Sequence, residues 1–420
     1  MQHVSAASPR ASVSIFFHGE IAAATDRFSA ASLLGAGGFG SVYMVPPQGL
    51  AGLSSDSRYL AVKKLDGDSM QGYAEFLQEV QVLGACRHEN ILPLVCFSAC
   101  RGVTREEDGV CLVTPLMRGG SLADRLSLDA SARRRLDKMP GAPPAAGWVQ
   151  LTWQQRVLVL LDALKGLDYL HTPDPVTHKP TILHRDIKPD NILLDTDSRA
   201  RLGDMGLARQ QRPAANNATT MMFLAGTNGF MDEYYQDTGK YDKAADAYAM
   251  GISILMTLTG LPAVDQDQGN LNGRCEVEDD AEIVALADVQ AQWPREVAIE
   301  VHKVGMALIK RHANRARRMT VRQARERLQS LADAYIPPAP PEHESMEREC
   351  ILCMSAPRHV RFEWWQLCIQ VLLCFFCVAL STNILTYSEI TADTLPCAED
   401  AWTLLCAARR DRSVRTVGRP

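Results

Sequence analysis

The stretch His184-Arg185-Asp186-Ile187-Lys188-Pro189-Asp190-Asn191 puts a carboxylate, an ammonium and a carboxamide within six residues, Asp186 to Asn191. That set suits phosphoryl transfer. The reaction needs an acceptor for a hydroxyl proton, oxygen ligands for Mg²⁺ and a cation to meet charge building on the transferred group. Asp186 fits the first task, Asn191 the second and Lys188 the third. Asp204-Met205-Gly206 begins thirteen residues after Asn191. Its Asp204 is a second candidate metal ligand, and a plain turn is the alternative reading.

Upstream, Gly35-Ala36-Gly37-Gly38-Phe39-Gly40-Ser41-Val42 fits G-x-G-x-x-G-x-V. Glycines let backbone N–H groups approach phosphate oxygens without Cβ clashes. A glycine-rich hairpin or a dinucleotide fingerprint would read similarly. A dinucleotide site expects a helix next, whereas Val42-Tyr43-Met44-Val45 reads as a strand, which favours a β-hairpin lid. Lys63 lies in the apolar strand Leu60-Ala61-Val62-Lys63, where an ammonium needs partners. A phosphate and the carboxylate of Glu79 would supply them; Lys64 is the competing lysine.

These groups require a frame. Leu33 to Val45 and Tyr59 to Leu65 read as strands, Ser69 to Leu83 as a helix with Phe76, Val80 and Leu83 on one face, and Leu92 to Phe97 and Val110 to Leu116 as further strands. Trp153 to His171 and Lys243 to Thr259 carry helical spacing. Strands followed by helices predict an α+β, two-lobed architecture: a small β-rich N-lobe and a larger helical C-lobe. Residues 1–27 form a polar lead, 28–333 the main domain, 334–349 a Pro-rich linker and 350–420 a Cys-rich tail. Leu50 to Ser57 reads as a lengthened turn and Leu128 to Gly147 as a flexible insertion.

The 420 residues, with 46% hydrophobic and 22% charged content, describe an ordinary globular chain. A net charge of −5 argues against a nucleic-acid partner. Arg133-Arg134-Arg135 and the arginines from Arg311 to Arg318 read as solvated surface. Residues 1–20 contain no apolar core of signal-peptide length, so the expected location is cytoplasmic. Five of the twelve cysteines are scattered through the first 349 residues, as buried thiols usually are; seven crowd into the tail.

With these residues in view, Phe28 to Leu328 resembles eukaryotic protein kinases, most closely the Pelle and interleukin-receptor-associated type and the plant receptor-like kinases. The phrases that carry it are Ala24-Thr25-Asp26-Arg27-Phe28, Leu34 to Tyr43, Ala61-Val62-Lys63-Lys64-Leu65, Arg87-His88-Glu89-Asn90-Ile91-Leu92, Gly119-Gly120-Ser121-Leu122 and Gly166-Leu167-Asp168-Tyr169-Leu170-His171. The resemblance implies a serine/threonine protein kinase that moves the γ-phosphate of ATP to protein hydroxyls with Mg²⁺, or alternatively Mn²⁺.

It further implies an ATP site of Leu34, Gly35, Ala36, Gly37, Gly38, Phe39, Gly40, Val42, Ala61, Lys63, Glu79 and Leu193. Thr114 would be the gatekeeper, with Pro115 to Met117 as hinge. Leu83, Leu94, Met205 and His184 would stack as a regulatory spine on Asp246. Arg185 implies control through the activation loop, with Thr219 and Thr220 as phosphorylation candidates and Thr227 as a substrate-site contact. The family's A-P-E or D-P-E is reduced to Asp232-Glu233, and Glu233 is expected to pair with Arg318. A catalytically weak kinase-fold scaffold, linked to a ubiquitin-ligase remnant, is the competing function.

That remnant is the tail. Cys350-Ile351-Leu352-Cys353 and Pro357 to Phe362 resemble the opening of a RING finger, but no C-x-H pair follows. Zn²⁺ on Cys350 and Cys353, an interrupted RING, an apolar tail and a membrane tether through 367–385 stay open as readings. Leu395-Pro396-Cys397 would restore the RING pattern if residues 363–394 were an insertion, perhaps translated intron. Transcript sequencing tests this: shorter messages should lack those codons, and cDNA that carries them as ordinary coding sequence across tissues sinks the idea.

Overall fold

In a computed structural model, the structure describes residues 14–37, 40–50, 58–65, 70–99, 110–143, 147–211, 219–220, 224–310 and 312–337. The chain divides at Pro337/Pro338, and the second unit lies outside the described residues. The readings of Cys350, Cys353, 363–394 and 367–385 fall there. No described helix is long and apolar enough to cross a membrane.

The first lobe contains β1 (Ser14–Phe17), α1 (His18–Ala24), β2 (Leu33–Gly37), β3 (Gly40–Val45), β4 (Leu60–Lys64), α2 (Met70–Ala85), β5 (Cys96–Ala99) and β6 (Cys111–Pro115). Its six strands form one sheet in the order β1-β5-β6-β4-β3-β2. The residues ahead of Phe28 therefore join the fold: β1 pairs in parallel with β5, and Phe16 and Ile21 are buried with Val45, Val62 and Val113. The expected strand from Leu92 starts later, at Cys96. Before it, Leu92 N–H donates to the Leu202 carbonyl of the second lobe at 2.9 Å, which takes this segment out of the sheet.

The second lobe follows with β7 (Gly120–Ser121), α3 (Leu122–Ser127), α4 (Ala130–Leu136), α5 (Trp153–His171), β8 (Ile182–Leu183), β9 (Ile192–Leu194), β10 (Ala200–Leu202), β11 (Arg209–Gln210) and β12 (Thr219–Thr220). Then come α6 (Glu233–Thr238), β13 (Lys240–Tyr241), α7 (Lys243–Thr259), β14 (Val264–Asp265), β15 (Gly269–Asn270), α8 (Leu271–Arg274), α9 (Asp280–Leu286), α10 (Arg295–Leu308) and α11 (Val321–Tyr335).

The expected insertion from Leu128 is, over 130–136, the helix α4. Asp129 caps it by accepting from the Ser131 and Ala132 N–H groups at 2.7 and 2.8 Å. Arg135 pairs with Asp124 of α3, and Lys138 Nζ donates to the Leu33 carbonyl of β2 at 2.8 Å. This segment of the second lobe thus ties itself to the glycine-rich strand of the first. The four described cysteines, Cys86, Cys96, Cys111 and Cys275, are buried free thiols, as their scatter led us to expect.

Helix α7 is buried on nearly every side, from Ala245 to Leu255, so it needs no amphipathic stripe. Its hydroxyls cost little there: Ser253, Thr257 and Thr259 donate to carbonyls four residues back at 2.7–2.9 Å. Thr152 and Gln155 close α5 with a capping box, and at its other end buried Lys179 donates to the Tyr169 and Thr172 carbonyls. Gly166 lets α5 approach the neighbouring chain, because a Cβ there would lie 2.6 Å from the Asn90 carbonyl oxygen.

Arg156 of α5 is fully buried. It donates to the Leu151 and Thr257 carbonyls and pairs with Asp288 at 2.5 Å. Replacing one partner strands the other. Arg156→Met should cost about 3–5 kcal/mol and lower the thermal midpoint, whereas Arg156→Met/Asp288→Leu should recover part of the loss. Calorimetry on the two variants checks the order.

Candidate functional site

The glycine-rich segment is a hairpin, as the strand after it suggested. Gly35, Ala36 and Gly37 of β2 face Val42, Ser41 and Gly40 of β3, and the tip, Gly38 and Phe39, lies outside the described residues. Gly40 has φ 107°, and a Cβ there would sit 2.2 Å from the Lys64 carbonyl oxygen, so only glycine fits. Leu34 is buried beside the turn.

Strand β4 alternates, and this alternation selects between the two lysines. Lys63 Nζ reaches Glu79 Oε2 of α2 at 3.0 Å and Asp204 Oδ1 at 2.7 Å. Lys64 instead lies over the Phe28 ring, 4.5 Å from its centroid. Burial alone would pull the Lys63 ammonium down, but the two carboxylates outweigh it and hold it above its ordinary value. Burial pushes the Glu79 carboxyl up. For Asp204 burial acts the same way, yet Lys63 prevails and the carboxyl falls below its usual range.

Around the cleft, Ala61 pairs with Thr114 across β4 and β6, and Val42 pairs with Lys63 across β3 and β4. Leu193 of β9 lies under Gly203, whose Cβ would meet Leu193 Cδ1 at 3.1 Å. Leu83, Leu94 and Met205 are buried in one cluster. Met205 fills its apolar slot, and its N–H donates to Glu79 Oε1 at 3.3 Å.

Asp186 is the hub of the catalytic loop. Its Oδ2 accepts from Lys188 Nζ at 2.7 Å and from Asn191 Nδ2 at 3.0 Å. Its Oδ1 accepts from the Thr227 hydroxyl at 2.7 Å, and that hydroxyl accepts from Lys188 at 2.8 Å. Asn191 Nδ2 also donates to the Asp186 carbonyl. With its amide hydrogens turned to Asp186, Asn191 offers its oxygen outward. The Gly203 N–H donates to the Asn191 carbonyl at 2.9 Å, which brings the backbone next to Asp204 alongside. No group of three His, Cys, Asp or Glu side chains suited to a metal occurs among the described residues. One carboxylate and one amide oxygen are, however, a hard donor set that fits Mg²⁺ with phosphate oxygens completing its shell.

Two residues hold left-handed backbone at this point, Arg185 (φ 73°) and Asp204 (φ 56°). Asp246 of α7, fully buried, enforces the first. It accepts from the His184 and Arg185 N–H groups, both at 2.9 Å, from His171 Nε2 at 2.8 Å and from the Tyr241 hydroxyl at 2.7 Å. Burial would raise this carboxyl, but His171 and the other donors hold it below the carboxylate range. His184 Nδ1 accepts from the Asp186 N–H, so its Nε2 donates to the Gly203 carbonyl at 3.1 Å. One imidazole thus spans the catalytic loop and the Asp204 turn.

The remaining expectations fare unequally. Glu233 does not meet Arg318. It lies exposed in the first turn of α6, and Asp232, fully buried, takes Arg318 at 2.7 Å. The N-cap residue, not the first-turn glutamate, is the one that faces inward here. Arg315 and Arg318 are accordingly ion-paired and partly buried, not solvated surface. Arg185 donates to the Leu207 carbonyl and to the Tyr235 hydroxyl. Thr219 and Thr220 form β12 against Tyr241 and Lys240, with their side chains outside the described residues. Sequence reasoning missed His171 and Tyr241 as holders of Asp246; a polar residue ending an apolar helix was the available signal for His171.

Comparison with known proteins agrees with this geometry. Residues 28–328 match the family described as protein kinase domain. A probable receptor-like protein kinase of Arabidopsis thaliana is 38% identical over 247 residues, 59% of this chain and 35% of the relative. LRR receptor kinase SERK2 of Oryza sativa subsp. japonica is 36% identical over 278 residues, 66% of this chain and 39% of the relative. The probable serine/threonine-protein kinase PBL25 of Arabidopsis thaliana is 34% identical over 251 residues, 60% and 58%. This chain thus spans less than two thirds of these relatives. The match over 28–328, most of the 420 residues, shows that the chain belongs to the protein kinase domain family.

Proposed function

We propose that this chain is a serine/threonine protein kinase that transfers the γ-phosphate of ATP to protein hydroxyls in signalling. The observation that carries the reading is the Lys63 ammonium held by Glu79 and Asp204 together, with Met205 seated in the core. It supports an assembled phosphate site. Val42, Ala61 and Leu193 would enclose the adenine, with Thr114 behind it. The backbone of Gly35 to Gly40 and Lys63 would hold the phosphates.

Asp204 and Asn191 would hold Mg²⁺, which when bound neutralises phosphate charge. Asp186 orients the acceptor hydroxyl and takes its proton. Lys188 meets the charge that grows on the transferred phosphoryl group. Thr227, bonded to both Asp186 and Lys188, sets the distance between base and cation. Its place beside Lys188 supports serine or threonine as acceptor, in line with the names of PBL25 and its kin. Control through Arg185 and the Thr219–Thr220 strand belongs to the same reading.

Radiolabelled ATP and a generic basic-protein acceptor test it. Asp186→Ala should lower kcat on the order of 10²–10⁴-fold with ATP affinity retained. Equal activity in wild type and variant, or none in either, would count against the proposal. Thr227→Ala should lower kcat about 10- to 100-fold, the range for one hydrogen bond to a charged group, and Thr227→Ser should restore it. If serine fails while alanine is harmless, Thr227 has no part in the base–cation geometry.

A further inference from the structure

We propose that Arg315 is a positioning residue for the protein-substrate platform, and that it replaces what the chain lacks at Asp232-Glu233. This inference rests on the kinase reading. The segment from Leu224 to Asp232 carries Thr227 to the base, so its far end must be fixed for Thr227 to be placed. A proline between Asp232 and Glu233 would stiffen that end, and the glutamate would reach the late arginine. Here the proline is missing and the shorter Asp232 takes Arg318 instead.

The structure meets this with a second guanidinium. Asp232 Oδ1 takes Arg318 Nη2 at 2.7 Å, and its Oδ2 takes Arg315 Nε at 2.9 Å. Arg315 then turns its other two nitrogens to Asp242: Nη1 to Oδ2 at 2.9 Å, and Nη2 to Oδ1. Its guanidinium also lies over the Tyr234 ring, 4.4 Å from the centroid. Asp242 is the N-cap of α7, accepting from the Ala244 and Ala245 N–H groups. One turn on, the same helix presents Asp246, which grips His184 and Arg185.

Arg315 therefore ties the end of the Thr227 segment to the helix that holds the catalytic loop. Arg318 adds only a long contact of this kind, donating to the Ala244 carbonyl of α7 at 3.4 Å, and its remaining partner is the Lys310 carbonyl; the bidentate, charged tie to α7 is that of Arg315. The planar fork of arginine is what permits it, since three donors on one rigid plane serve two carboxylates at once. A lysine has the charge but not the span. Two arginines and two aspartates also leave the cluster electrically balanced.

The test compares Arg315→Ala, Arg315→Lys and Asp242→Asn in the full chain. Asparagine caps a helix as well as aspartate does, so Asp242→Asn removes the bridge and keeps α7. We expect all three to raise the KM for a protein acceptor on the order of ten- to a hundredfold, while ATP dissociation constants stay within about twofold of wild type. Arg315→Ala/Asp242→Asn should be no worse than Arg315→Ala, because both remove one connection. Hydrogen exchange should quicken over 224–241 and stay unchanged over 60–64 and 111–115. Acceptor KM unchanged, full activity in Arg315→Lys, or unchanged exchange over 224–241 overturns the inference. A wild type that transfers no phosphate defeats the kinase reading instead, and the exchange measurement still decides the clamp. Should Arg315→Ala fail to fold, the KM and exchange of Asp242→Asn decide the matter.

Discussion

A carboxylate with no exposed surface must find its hydrogen bonds inside the protein or lose its charge. Asp246 finds four: two backbone N–H groups, one imidazole and one phenol. The two backbone donors are consecutive, His184 and Arg185, and only a sharply turned chain can aim both at one carboxylate. At Arg185 that turn is made with left-handed backbone. Asp186, the next residue, leaves from this turn. His184 carries the constraint onward through its ring to Gly203, hence to the turn at Asp204. A single buried charge on α7 thus governs the placement of both acids in the site.

Lys63 plays the matching part in the first lobe. Its ammonium is shared by a carboxylate from α2 and one from the second lobe. Burial pushes both carboxyls up; for Glu79 it prevails, whereas Lys63 holds Asp204 below its usual range. A cation arriving near Asp204 would compete for its charge, leaving Lys63 to phosphate and Glu79. The pair Lys63–Glu79 can persist through that exchange because Glu79 Oε1 is anchored independently by the Met205 N–H. Helix α2, the lysine strand and the Asp204 turn are thereby joined as one connected set.

Much of this was legible in the residues. The spacing of Asp186, Lys188, Asn191 and Asp204 pointed to residues that the fold brings to one cleft, and the period of 153–171 and 243–259 gave both helices to the residue. Helix periods survive in sequence because apolar burial imposes them locally. What was not legible depends on distant partners. Near Leu128 only one aspartate cap and the local pairing with Asp124 mark α4, and the tie from Lys138 to Leu33 lies across the fold. The choice of Asp232 over Glu233 was hidden for a related reason. Two adjacent acids look equivalent in a sequence, but a helix start turns the cap residue inward and its first-turn neighbour to solvent. The lead before Phe28 read as polar because its sheet partner, β5, is contributed from about eighty residues later in the chain.

The platform is where family pattern and physical requirement separate. Losing a proline and shortening a glutamate would each loosen the end of the Thr227 segment if nothing else changed. The requirement is not a proline or a glutamate as such. It is that the segment be fixed relative to the helix bearing Asp246, since Thr227 touches the same Asp186 that this helix orients. Any rigid connection between those two bodies satisfies it. Asp232 reaches α7 by way of Arg315 and Asp242, and Tyr235 adds a second tie by donating to the Ala225 carbonyl while accepting from Arg185. Burial sets a condition on such a solution: desolvation alone would raise Asp232, and the guanidiniums of Arg318 and Arg315 hold it below the carboxylate range. A carboxylate in that position is tolerable because it is bridged, so the departure at Asp232-Glu233 and the presence of Arg315 belong together.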